Sequence, residues 1–567
     1  MSRIIGIDLG TSTSEVAIIE EGVPTVIKNR RGNLITPSVV GISTSGEIIV
    51  GELAKEQFLA KPHDTVIEVK RLMGTDQMVS MGDEQYIPQE ISSHILNYLK
   101  ECAQDYVGEL IEKAVITVPA YFTNEQRRAT VEAGEMAGLQ VERIINEPTA
   151  AALAYGIEHM EDNSHILVYD LGGGTLDVTL LEMFDGVLEV KASSGNNKLG
   201  GKDFDEKIMD MLCHEFEKEY NINLSEKIRA LVRIKQEAEN CKIALSTQDE
   251  YTINLPFLSQ KNAEPIGLVR TITKDEFENL IRDLVLSTQA QINVVLSDAA
   301  LEVKDIDTVL LVGGSTEIPL VRHFLEKSFG KKPAQAVDPN LAVVMGAAIQ
   351  AGIINNELSE DQDILITDVC PYTLGIETLG LMAGMLMPDI YDIIIPRNIT
   401  VPVVREKTYA TVADNQEEVE INVYQGDHKK ASLNNSIGNF RLTGIPPNDA
   451  SKEKIKVKFM YDINGILHIE AQIISTGEQT GITIETTGVK LEKEMDLSDW
   501  DQSPKARKYR RIIKKAESIL GEYFDSEFYD ELDDLIRQIK EALITGKHDE
   551  LEGLAEDISD ILYDLED

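Results

Sequence analysis

The 567-residue sequence contains few cysteines, and they are far apart. The four, Cys102, Cys213, Cys241 and Cys370, form no Cys-x-x-Cys motif. Disulfide-rich scaffolds and structural zinc sites both require clustered cysteines, so this spacing argues against either. The pattern favours buried free thiols in a reducing compartment.

The sequence also lacks long apolar runs. No uninterrupted apolar stretch reaches the length that crosses a membrane. The N-terminus passes through Arg3 into a short strand-like segment, without an apolar leader or a cleavage site. We therefore expect a cytoplasmic protein without membrane association.

Basic residues are scarce relative to acidic ones. The chain has 54 Lys and Arg residues against 97 Asp and Glu residues, a formal net charge of -43 at pH 7. Because a phosphate backbone repels such a surface, the composition argues against nucleic-acid binding and favours a soluble protein. A chain of this length can fold into several domains with large hydrophobic cores.

Three glycine turns follow apolar runs, at residues 8–14, 170–177 and 313–316, and none contains the lysine that defines a P-loop. Glycines let backbone N–H groups approach an anion closely, and the aspartates of the first two turns suit a hydrated divalent cation. The first two are predicted as strand-turn-strand and the third as strand-turn-helix. A single turn of this kind could be an ordinary hairpin, but three together predict a two-lobed nucleotide clamp.

The pattern of the chain changes along its length. Residues 1–360 alternate strand-like and helical segments, which is typical of α/β architecture. Residues 361–369 place a short apolar segment between acids, as in an exposed linker or an edge strand. Residues 370–490 read as the short strands of an all-β domain, with a hairpin whose Asn464-Gly465 favours a type I′ turn. Residues 495–567 have the apolar spacing of helices.

Seven ordered motifs carry a resemblance to a known family. They lie at residues 5–11, 69–74, 117–122, 146–152, 170–177, 199–201 and 374–378. Through them the chain resembles the heat-shock 70 chaperone family over nearly its whole length. The resemblance implies an actin-like ATPase domain built from a duplicated ribonuclease-H-like sheet (1–360), an interdomain linker (361–369), a β-sandwich substrate-binding domain (370–490) and a short α-helical lid (495–567).

The resemblance also implies an ATP site with magnesium, and with potassium as a further candidate. Lys70, Glu147, Thr175 and Asp177 would be catalytic, and Asp8 and Asp170 would hold magnesium through water. The remaining residues implied for nucleotide binding are Gly10, Thr11, Ser12, Gly172, Gly173, Gly174, Gly200, Gly201, Glu239, Lys242, Ser246, Gly313, Gly314 and Ser315. Without the resemblance, Lys70 would be interpreted as a surface charge, and Glu147 as a residue that favours a helix N-terminus.

Two further groups of residues follow from the resemblance. An apolar pocket for an extended peptide would be formed by Ile376, Leu379, Tyr409, Val412, Val419 and Ile421, although alternation alone could equally place each of them in the sandwich core. Coupling between the domains would involve Pro119, Arg127, Ile364, Leu365 and Ile366. The implied partners are unfolded or specific client polypeptides and a J-domain co-chaperone, while the need for a nucleotide exchange factor is left open.

The chain departs from the family pattern at several places. Glu317 stands where an arginine usually stacks on adenine, which predicts looser nucleotide binding. Thr367 occupies a leucine-like linker position, which puts the strength of linker docking in doubt. The segment between Gly74 and Pro88 is short, the one between Gly380 and Pro402 is long, and the lid is small. Together these departures resemble the specialised HscC-type branch.

Three other functions share part of this pattern. A small-molecule kinase on the same clamp would use the three glycine turns, and a filament-forming ATPase related to actin would use them for assembly. Both leave the chain after residue 360 without a role. A holdase or exchange relative with little hydrolysis is disfavoured by the set of Lys70, Glu147, Thr175 and Asp177.

Overall fold

The structure is a computed structural model of the chain. It describes residues 3–156, 163–184, 186–225, 227–261, 264–334, 338–358, 365–382, 385–483, 506–520, 532, 535–540, 543 and 551–564. The chain folds as two compact units, Met1–Gly488 and Val489–Asp567. Within the described residues, no helix is both long enough and apolar enough to span a bilayer.

The first lobe is a mixed sheet covered by helices. The sheet has the order β11-β10-β1-β2-β3, with β4 paired to β2, and two small sheets of order β6-β5-β7 and β8-β9 flank it. Its elements are β1 (Ile4–Leu9), β2 (Thr13–Glu20), β3 (Val23–Val26), β4 (Thr36–Pro37), β5 (Val39–Ile42), β6 (Ile48–Val50), α1 (Glu52–Phe58), β7 (Thr65–Ile67), β8 (Val79–Met81), β9 (Glu84–Tyr86), α2 (Pro88–Val107), β10 (Lys113–Val118), α3 (Asn124–Met136), β11 (Gln140–Asn146) and α4 (Glu147–Gly156), with 3-10 turns at Pro62–Asp64 and Val69–Leu72.

The second lobe repeats this plan. Its sheet has the order β17-β12-β13-β14-β18-β21, and a separate hairpin is formed by β15 and β16. The elements are β12 (Ser164–Leu171), β13 (Leu176–Phe184), β14 (Val187–Asn196), α5 (Gly201–Tyr220), α6 (Ile228–Leu245), β15 (Glu250–Lys261), β16 (Glu264–Thr273), α7 (Lys274–Ser287), α8 (Gln289–Asp298), β17 (Thr308–Val312), α9 (Pro319–Phe329), α10 (Ala342–Asn355), β18 (Leu365–Cys370) and, after the strands named next, β21 (Ile399–Val401), with 3-10 turns at Val303–Asp305 and Gly314–Glu317.

Each lobe contains an antiparallel hairpin joined to a parallel strand. In the first lobe β1 pairs antiparallel with β2 and parallel with β10. In the second lobe β12 pairs antiparallel with β13 and parallel with β17. The predicted internal duplication therefore corresponds to two similar sheets, and a glycine turn closes the hairpin at the same point of each.

Helix α10 packs tightly on the first lobe because small residues line its contacts. A Cβ atom on Gly6 of β1 would lie 2.3 Å from the backbone nitrogen of Ala348. A Cβ on Gly346 would lie 1.7 Å from the carbonyl oxygen of Ala150 in α4. Since no side chain fits at either contact, any larger residue would push α10 away from β1 and α4.

The following strands form two four-stranded antiparallel sheets with one shared core. The sheet orders are β20-β19-β23-β24 and β22-β25-β26-β27. Buried residues from both sheets, such as Ile376, Val423 and Phe459, belong to the same apolar cluster. The strands are β19 (Leu374–Met382), β20 (Met385–Ile395), β22 (Val403–Ala410), β23 (Glu418–Gln425), β24 (Asn435–Thr443), β25 (Lys454–Tyr461), β26 (Leu467–Ile473) and β27 (Gln479–Thr483), with a 3-10 turn at Ala431–Leu433.

The turn between β25 and β26 differs from the predicted type I′ turn. That turn type needs positive φ at both central residues, but only Gly465 has it, at 75°, and Asn464 does not. The loop is longer than two residues, and the Asp462 amide donates to the Ile466 carbonyl. The Asp462 carboxylate accepts hydrogen bonds from the Asn464 and Ile466 amides. These bonds stabilise the wider turn.

The second unit contains helices around one apolar cluster. Its helices include α11 (Ala506–Leu520) and α12 (Leu551–Asp564), and residues 535–540 are helical as well. Buried residues at helical spacing include Tyr509 and Ile513 of α11 and Ile558 and Leu562 of α12. Leu532, Ile539 and Leu543, which the sequence pattern assigns to apolar helix faces, belong to the same cluster.

Candidate functional site

The first two glycine turns face each other across the cleft between the lobes. A Cβ on Gly173 would lie 2.2 Å from the hydroxyl oxygen of Ser12, and one on Gly174 would lie 2.9 Å from Thr11. Gly200 packs against the second turn, since a Cβ at this position would lie 2.5 Å from the Gly174 nitrogen. No side chain fits at these positions, so the backbones of the two turns approach each other closely where the lobes meet, an arrangement that lets N–H groups converge on a phosphate.

A cluster of charged side chains lies beside these turns. Lys70 is 5% exposed, and its Nζ lies 2.5 Å from Oε1 of Glu147, the first residue of α4. The Lys70 ammonium also lies 5.5 Å from the centre of the Phe122 ring. Asp8, in β1, accepts a 2.7 Å hydrogen bond from the Thr117 hydroxyl.

Burial raises the pKa of the carboxyls in this cluster. Burial is the largest cause for Asp8 and also for Glu147, whose pKa rises to about 7 although Lys70 opposes the shift. The pKa of Asp177 rises to about 6, and that of Asp170 rises well above its usual range, in part because Glu147 and Asp177 are nearby. The cluster thus holds more negative charge than its one ammonium group neutralises.

The donor set fits a hydrated divalent cation. Oδ2 of Asp170 and Oδ2 of Asp177 are buried and have no hydrogen-bond partner among the described residues. Free carboxylate oxygens of this kind are what magnesium prefers, and magnesium usually retains several of its waters. A cavity of about 80 Å³ contains Asp8, Lys70 and Glu147 in its lining, together with residues of all three glycine turns.

A second cavity of about 80 Å³ adjoins Thr11 and Ser12 and includes Glu239 and Lys242 in its lining. Both α6 residues are paired: Lys242 contacts Asp205 at 2.7 Å, and Glu239 contacts Lys55 of α1 at 2.9 Å. The Lys55 pair crosses the cleft from the first lobe to the second.

Two more contacts tie the lobes together near this cavity. Arg71 donates to the Gly174 carbonyl and to Asp203, at 2.9 Å each. Glu68 lies 2.5 Å from Lys202 and 2.7 Å from Lys235. Ion pairs and hydrogen bonds between the two lobes therefore bridge the cleft beside this cavity.

The third glycine turn meets the second at its base. Gly313 has φ of 82°, and a Cβ there would lie 2.5 Å from the Leu171 carbonyl oxygen. Ser315 donates to the Gly172 carbonyl at 2.9 Å. Glu317 follows at the end of the turn and forms a 2.7 Å ion pair with Arg322 of α9.

A groove of about 610 Å³ opens on the sandwich between β19, β22 and β23. Its floor contains Ile376 and Ile421, which are 4% and 3% exposed, and its rim contains the exposed Leu379 and Val412. The Tyr409 hydroxyl donates to Asp392 at 2.7 Å. An apolar floor flanked by exposed apolar side chains suits an extended peptide segment.

Strand β18 joins the sandwich to the second lobe. It pairs in parallel with β14, where Val187, Leu188 and Glu189 lie opposite Leu365, Ile366 and Thr367. On its other side β18 pairs with β21, the strand that leads into the sandwich. The hydroxyl oxygen of Thr367 is buried without a hydrogen-bond partner in the described chain, so docking of this strand carries an unsatisfied polar group.

Polar contacts on both sides of β18 continue this junction between the α/β lobes and the sandwich, which we call the seam. Asp368 accepts from Asn146 at 2.8 Å and from Thr149 at 3.1 Å. Asp298 of α8 accepts from Arg397 at 2.7 Å and from Asn398 at 2.8 Å. These contacts join α/β residues to sandwich residues.

Arg127 of α3 reaches across the same seam. It is 3% exposed and donates to the Ala120 and Phe122 carbonyls and to Asn146. It also donates at 3.5 Å to the Asn464 carbonyl in the β25–β26 turn. Oδ1 of Asn464 in turn accepts a 3.0 Å hydrogen bond from the Ile144 amide.

An aromatic contact leads from the sandwich toward the charged cluster. The rings of Tyr372 and Tyr121 are 4.6 Å apart between centroids, and the Tyr372 hydroxyl donates to the Tyr121 carbonyl. The Tyr121 amide donates at 3.3 Å to Oδ1 of Asp177. A sandwich residue therefore contacts the backbone that holds Asp177.

A family model described as Hsp70 protein matches residues 4–81 and 75–561, nearly the whole chain. The chain belongs to the Hsp70 family. Hsp70 proteins are ATP-dependent chaperones that hydrolyse ATP with Mg²⁺, bind unfolded polypeptides and work with J-domain co-chaperones. The family match gives no support to a small-molecule kinase or a filament-forming ATPase.

The Hsp70 structure brings most of the predicted site residues together. All six predicted peptide residues line the one groove on the sandwich, and the three glycine turns line one cavity. Ser246, which directly follows α6, is not part of the lining of either cavity, and its hydroxyl donates to the Lys242 carbonyl. Pro119 is buried at the end of β10, next to the segment that Arg127 contacts. Ile364 lies outside the described residues.

Several residues of this Hsp70 site were not predicted from the sequence. They are Glu15 in the cleft, Arg71 and Glu68 across it, and Asp298, Asp368 and Tyr372 at the seam. All of these except Glu15 contact residues that are distant along the chain, as in the pairing of Asp298 with Arg397. Two of them had a sequence signal, since Arg71 lies in the motif at residues 69–74 and Asp368 lies at the end of the predicted linker.

Proposed function

We propose that this Hsp70 chain couples ATP hydrolysis in the cleft to peptide binding in the sandwich groove through the seam around β18. The observation that carries the proposal is that cleft, seam and groove form one connected set of contacts. Arg127 and Asp368 form the contacts of the seam, and Tyr372 contacts Tyr121 while it packs in the same apolar cluster as Ile376 and Ile421 of the groove. A kinase or a filament subunit has no use for a groove connected to its ATP site in this way.

In the cleft, the glycine turns would bind the β- and γ-phosphates through backbone N–H groups. Asp8 and Asp170 would hold magnesium through water, and the ion when bound would neutralise phosphate charge. Lys70, fixed by Glu147, would stabilise charge that develops on the transferred phosphoryl group. Thr175 and Asp177 would orient the attacking water. We include K⁺ as a further candidate ion at this acidic site.

In the groove, Ile376, Tyr409, Val419 and Ile421 would bind one apolar side chain of an extended client, with Leu379 and Val412 arching over it. Backbone hydrogen bonds and a single apolar pocket would give broad recognition of unfolded segments. The residues at the rim include Glu377 and Glu420. ATP binding would open access to the groove, and hydrolysis would close it.

We further propose the domain boundaries 1–360, 361–369, 370–490 and 495–567, with an actin-like ATPase domain and a helical lid. The long β19–β20 hairpin, the Thr367 linker position and the small helical unit support a specialised, HscC-type chaperone with a narrow client range. Its J-domain partner would be dedicated to it. Its need for an exchange factor would depend on the nucleotide affinity that remains with Glu317 at this position.

The test is steady-state ATP hydrolysis by the full chain, with and without an unfolded apolar peptide. We expect the peptide to raise the rate, and Lys70→Ala to abolish both basal and stimulated hydrolysis. Lys304→Ala is the matched control, because this lysine is exposed and its ion pair with Glu302 is local. It should behave as the unchanged chain.

The outcomes separate the parts of the proposal. Hydrolysis that survives in Lys70→Ala would contradict the assigned cleft. Hydrolysis that depends on Lys70 but ignores peptide would contradict the coupling. A narrow client range predicts a further result, namely that a generic peptide stimulates less than a library-selected one.

A further inference from the structure

One wall of the groove on the sandwich is held in place from behind. Tyr409 of β22 is part of the groove lining, is partly buried and packs against the apolar cluster of the sandwich. Its hydroxyl donates a 2.7 Å hydrogen bond to Oδ2 of Asp392. Asp392 is not among the described residues that line the groove. Its link to the groove is therefore the Tyr409 side chain.

Asp392 joins the two sheets of the sandwich at one edge. It lies in β20, the edge strand of the first sheet, whereas Tyr409 and Lys407 lie in β22, the edge strand of the second. The Lys407 ammonium lies 2.7 Å from Oδ1 of Asp392. One carboxylate thus receives two donors from the facing sheet, one on each oxygen.

The strand register places this bridge beside the floor of the groove. Asp392 lies opposite Ile376 in the β19–β20 ladder, and Tyr409 lies opposite Ile455 in the β22–β25 ladder. Both isoleucines line the groove. Opposite residues on neighbouring strands point to the same face of a sheet. The carboxylate and the tyrosine ring therefore share the inner faces that form the floor.

The hydrogen bond from Tyr409 is of the strong, charge-assisted kind. A hydroxyl that donates to an ionised carboxylate forms a shorter and stronger bond than a neutral pair does. Burial raises the pKa of the Tyr409 hydroxyl above its usual range, and the bond to Asp392 raises it as well. The hydroxyl is therefore a donor at neutral pH. A tyrosine without that bond at the wall of a groove would exchange between rotamers.

We propose that Asp392 is a positioning residue for the client pocket: by holding the Tyr409 hydroxyl it fixes the ring as a rigid wall and limits the size of the apolar side chain that the pocket accepts. The inference rests on the proposed function, because that function assigns the groove to a client. A fixed wall favours a side chain that fits the pocket as it stands, since no ring has to be ordered on binding. A ring released from Asp392 would turn aside and admit a larger side chain.

A purely structural role for Asp392 is the alternative explanation. Charged side chains that point inward on edge strands also prevent two sheets from pairing edge to edge. The ion pair with Lys407 would satisfy such a charge without any contribution from Tyr409. The two roles differ in whether the hydroxyl of Tyr409 matters for the choice of client.

The experiment measures the binding of two dye-labelled peptides to the full chain by fluorescence anisotropy. Both peptides consist of alanine and serine, and the central residue is leucine in one and tryptophan in the other. The leucine peptide should bind the unchanged protein more tightly, and the ratio of the two dissociation constants gives the selectivity. We expect Asp392→Ala to reduce this ratio about fivefold, within the range that coupled side chains show. Tyr409→Phe keeps the ring, loses the donor and should reduce the ratio equally.

Three further variants separate the hydrogen bond from the ion pair. Because both single changes break the same bond, the double variant Asp392→Ala/Tyr409→Phe should reduce the ratio no further. Asp392→Asn keeps an acceptor for the hydroxyl and should retain most of the selectivity. Lys407→Met is the matched control, since it removes the ion pair and leaves the hydroxyl bond. It should change the ratio less than about twofold, as expected for an exposed ion pair.

The outcomes distinguish this inference from the proposed function. An unchanged ratio in Tyr409→Phe, additive effects in the double variant, or an equal shift in Lys407→Met would overturn the inference and leave the groove assigned to a client. So would equal affinity of the unchanged protein for both peptides. Binding of neither peptide would contradict the proposed function itself.

Melting curves show whether a variant acts through the fold. Asp392→Ala with a lowered melting temperature, equal weakening of both peptides and an unchanged ratio would mean that Asp392 only joins the sheets. Tyr409→Phe keeps the packing of the ring against the sandwich cluster, so its selectivity tests the inference even where Asp392→Ala unfolds more easily.

Discussion

At the scale of single residues, Asp177 shows how a buried acid lowers stability. Its Oδ1 accepts from the Tyr121 amide, while its Oδ2 is buried without a partner among the described residues. Burial raises its pKa to about 6. The folded protein therefore holds a proton between pH 4 and 6 that the unfolded chain has already lost.

We expect Asp177→Asn to stabilise the nucleotide-free protein at neutral pH. Because the folded-state pKa is raised, Asp177 does not destabilise the fold below pH 4. The free energy of unfolding falls as pH rises from 4 through 6, and above pH 6 the ionised carboxylate lowers it by about 2 to 3 kcal/mol. Asn keeps the Oδ1 acceptor and does not titrate. Thermal melting of both proteins from pH 4 to 8 should show a gap that opens with rising pH, and a constant gap would contradict the shift.

Glu317 sets a second residue-scale expectation. It pairs with Arg322 instead of offering a flat cation to an adenine ring. We expect Glu317→Arg to slow the release of fluorescent ADP severalfold, with Glu326→Arg on the following helix α9 as control. An unchanged release rate in Glu317→Arg would mean that this position does not limit exchange.

At the scale of elements, β18 connects the second lobe to the sandwich and is the strand through which the proposed coupling would run. Its pairing with β14 is short, and the buried Thr367 hydroxyl lacks a partner in the described structure. We expect Thr367→Val to favour docking by about 1 kcal/mol, because Val keeps the shape and removes the unsatisfied hydroxyl.

Hydrogen exchange of the β18 amides with ATP present measures this docking. Protection should increase severalfold in Thr367→Val. Thr408→Val, at an exposed position of β22, is the control and should leave β18 unchanged. Equal protection in both variants would show that the hydroxyl is satisfied in solution.

At the scale of the whole molecule, the communication between domains can be tested at Arg127 and its neighbour Arg128. Arg127 is buried at the seam, whereas Arg128 pairs with Glu132 on α3 at 3.0 Å. We expect Arg127→Ala to reduce ATP-driven release of a fluorescent peptide roughly tenfold, within the usual range of coupling energies. Arg128→Ala should change it less than about twofold. Similar effects of both would locate the coupling elsewhere.

Local patterns of the sequence predict the strands, the helices and the glycine turns because these depend on neighbours in the chain. The burial of Glu15 in the cleft could not be predicted in this way. Its strand reads only as an apolar run after a glycine turn, whereas α10, more than 300 residues later, packs against Gly6 of the neighbouring strand. The width of the Asn464 turn was missed for a similar reason, since it depends on hydrogen bonds to the Asp462 side chain.

Since β18 is both a sheet strand and the connection between domains, release of the strand leaves the sandwich tethered. A dozen flexible residues reach roughly 20 Å on average. The sandwich would then stay near its docking edge at an effective concentration on the order of millimolar. A strand contact too weak to hold two separate proteins together is sufficient here, so the unsatisfied Thr367 hydroxyl would tune how often the domains separate while the tether guarantees that they meet again.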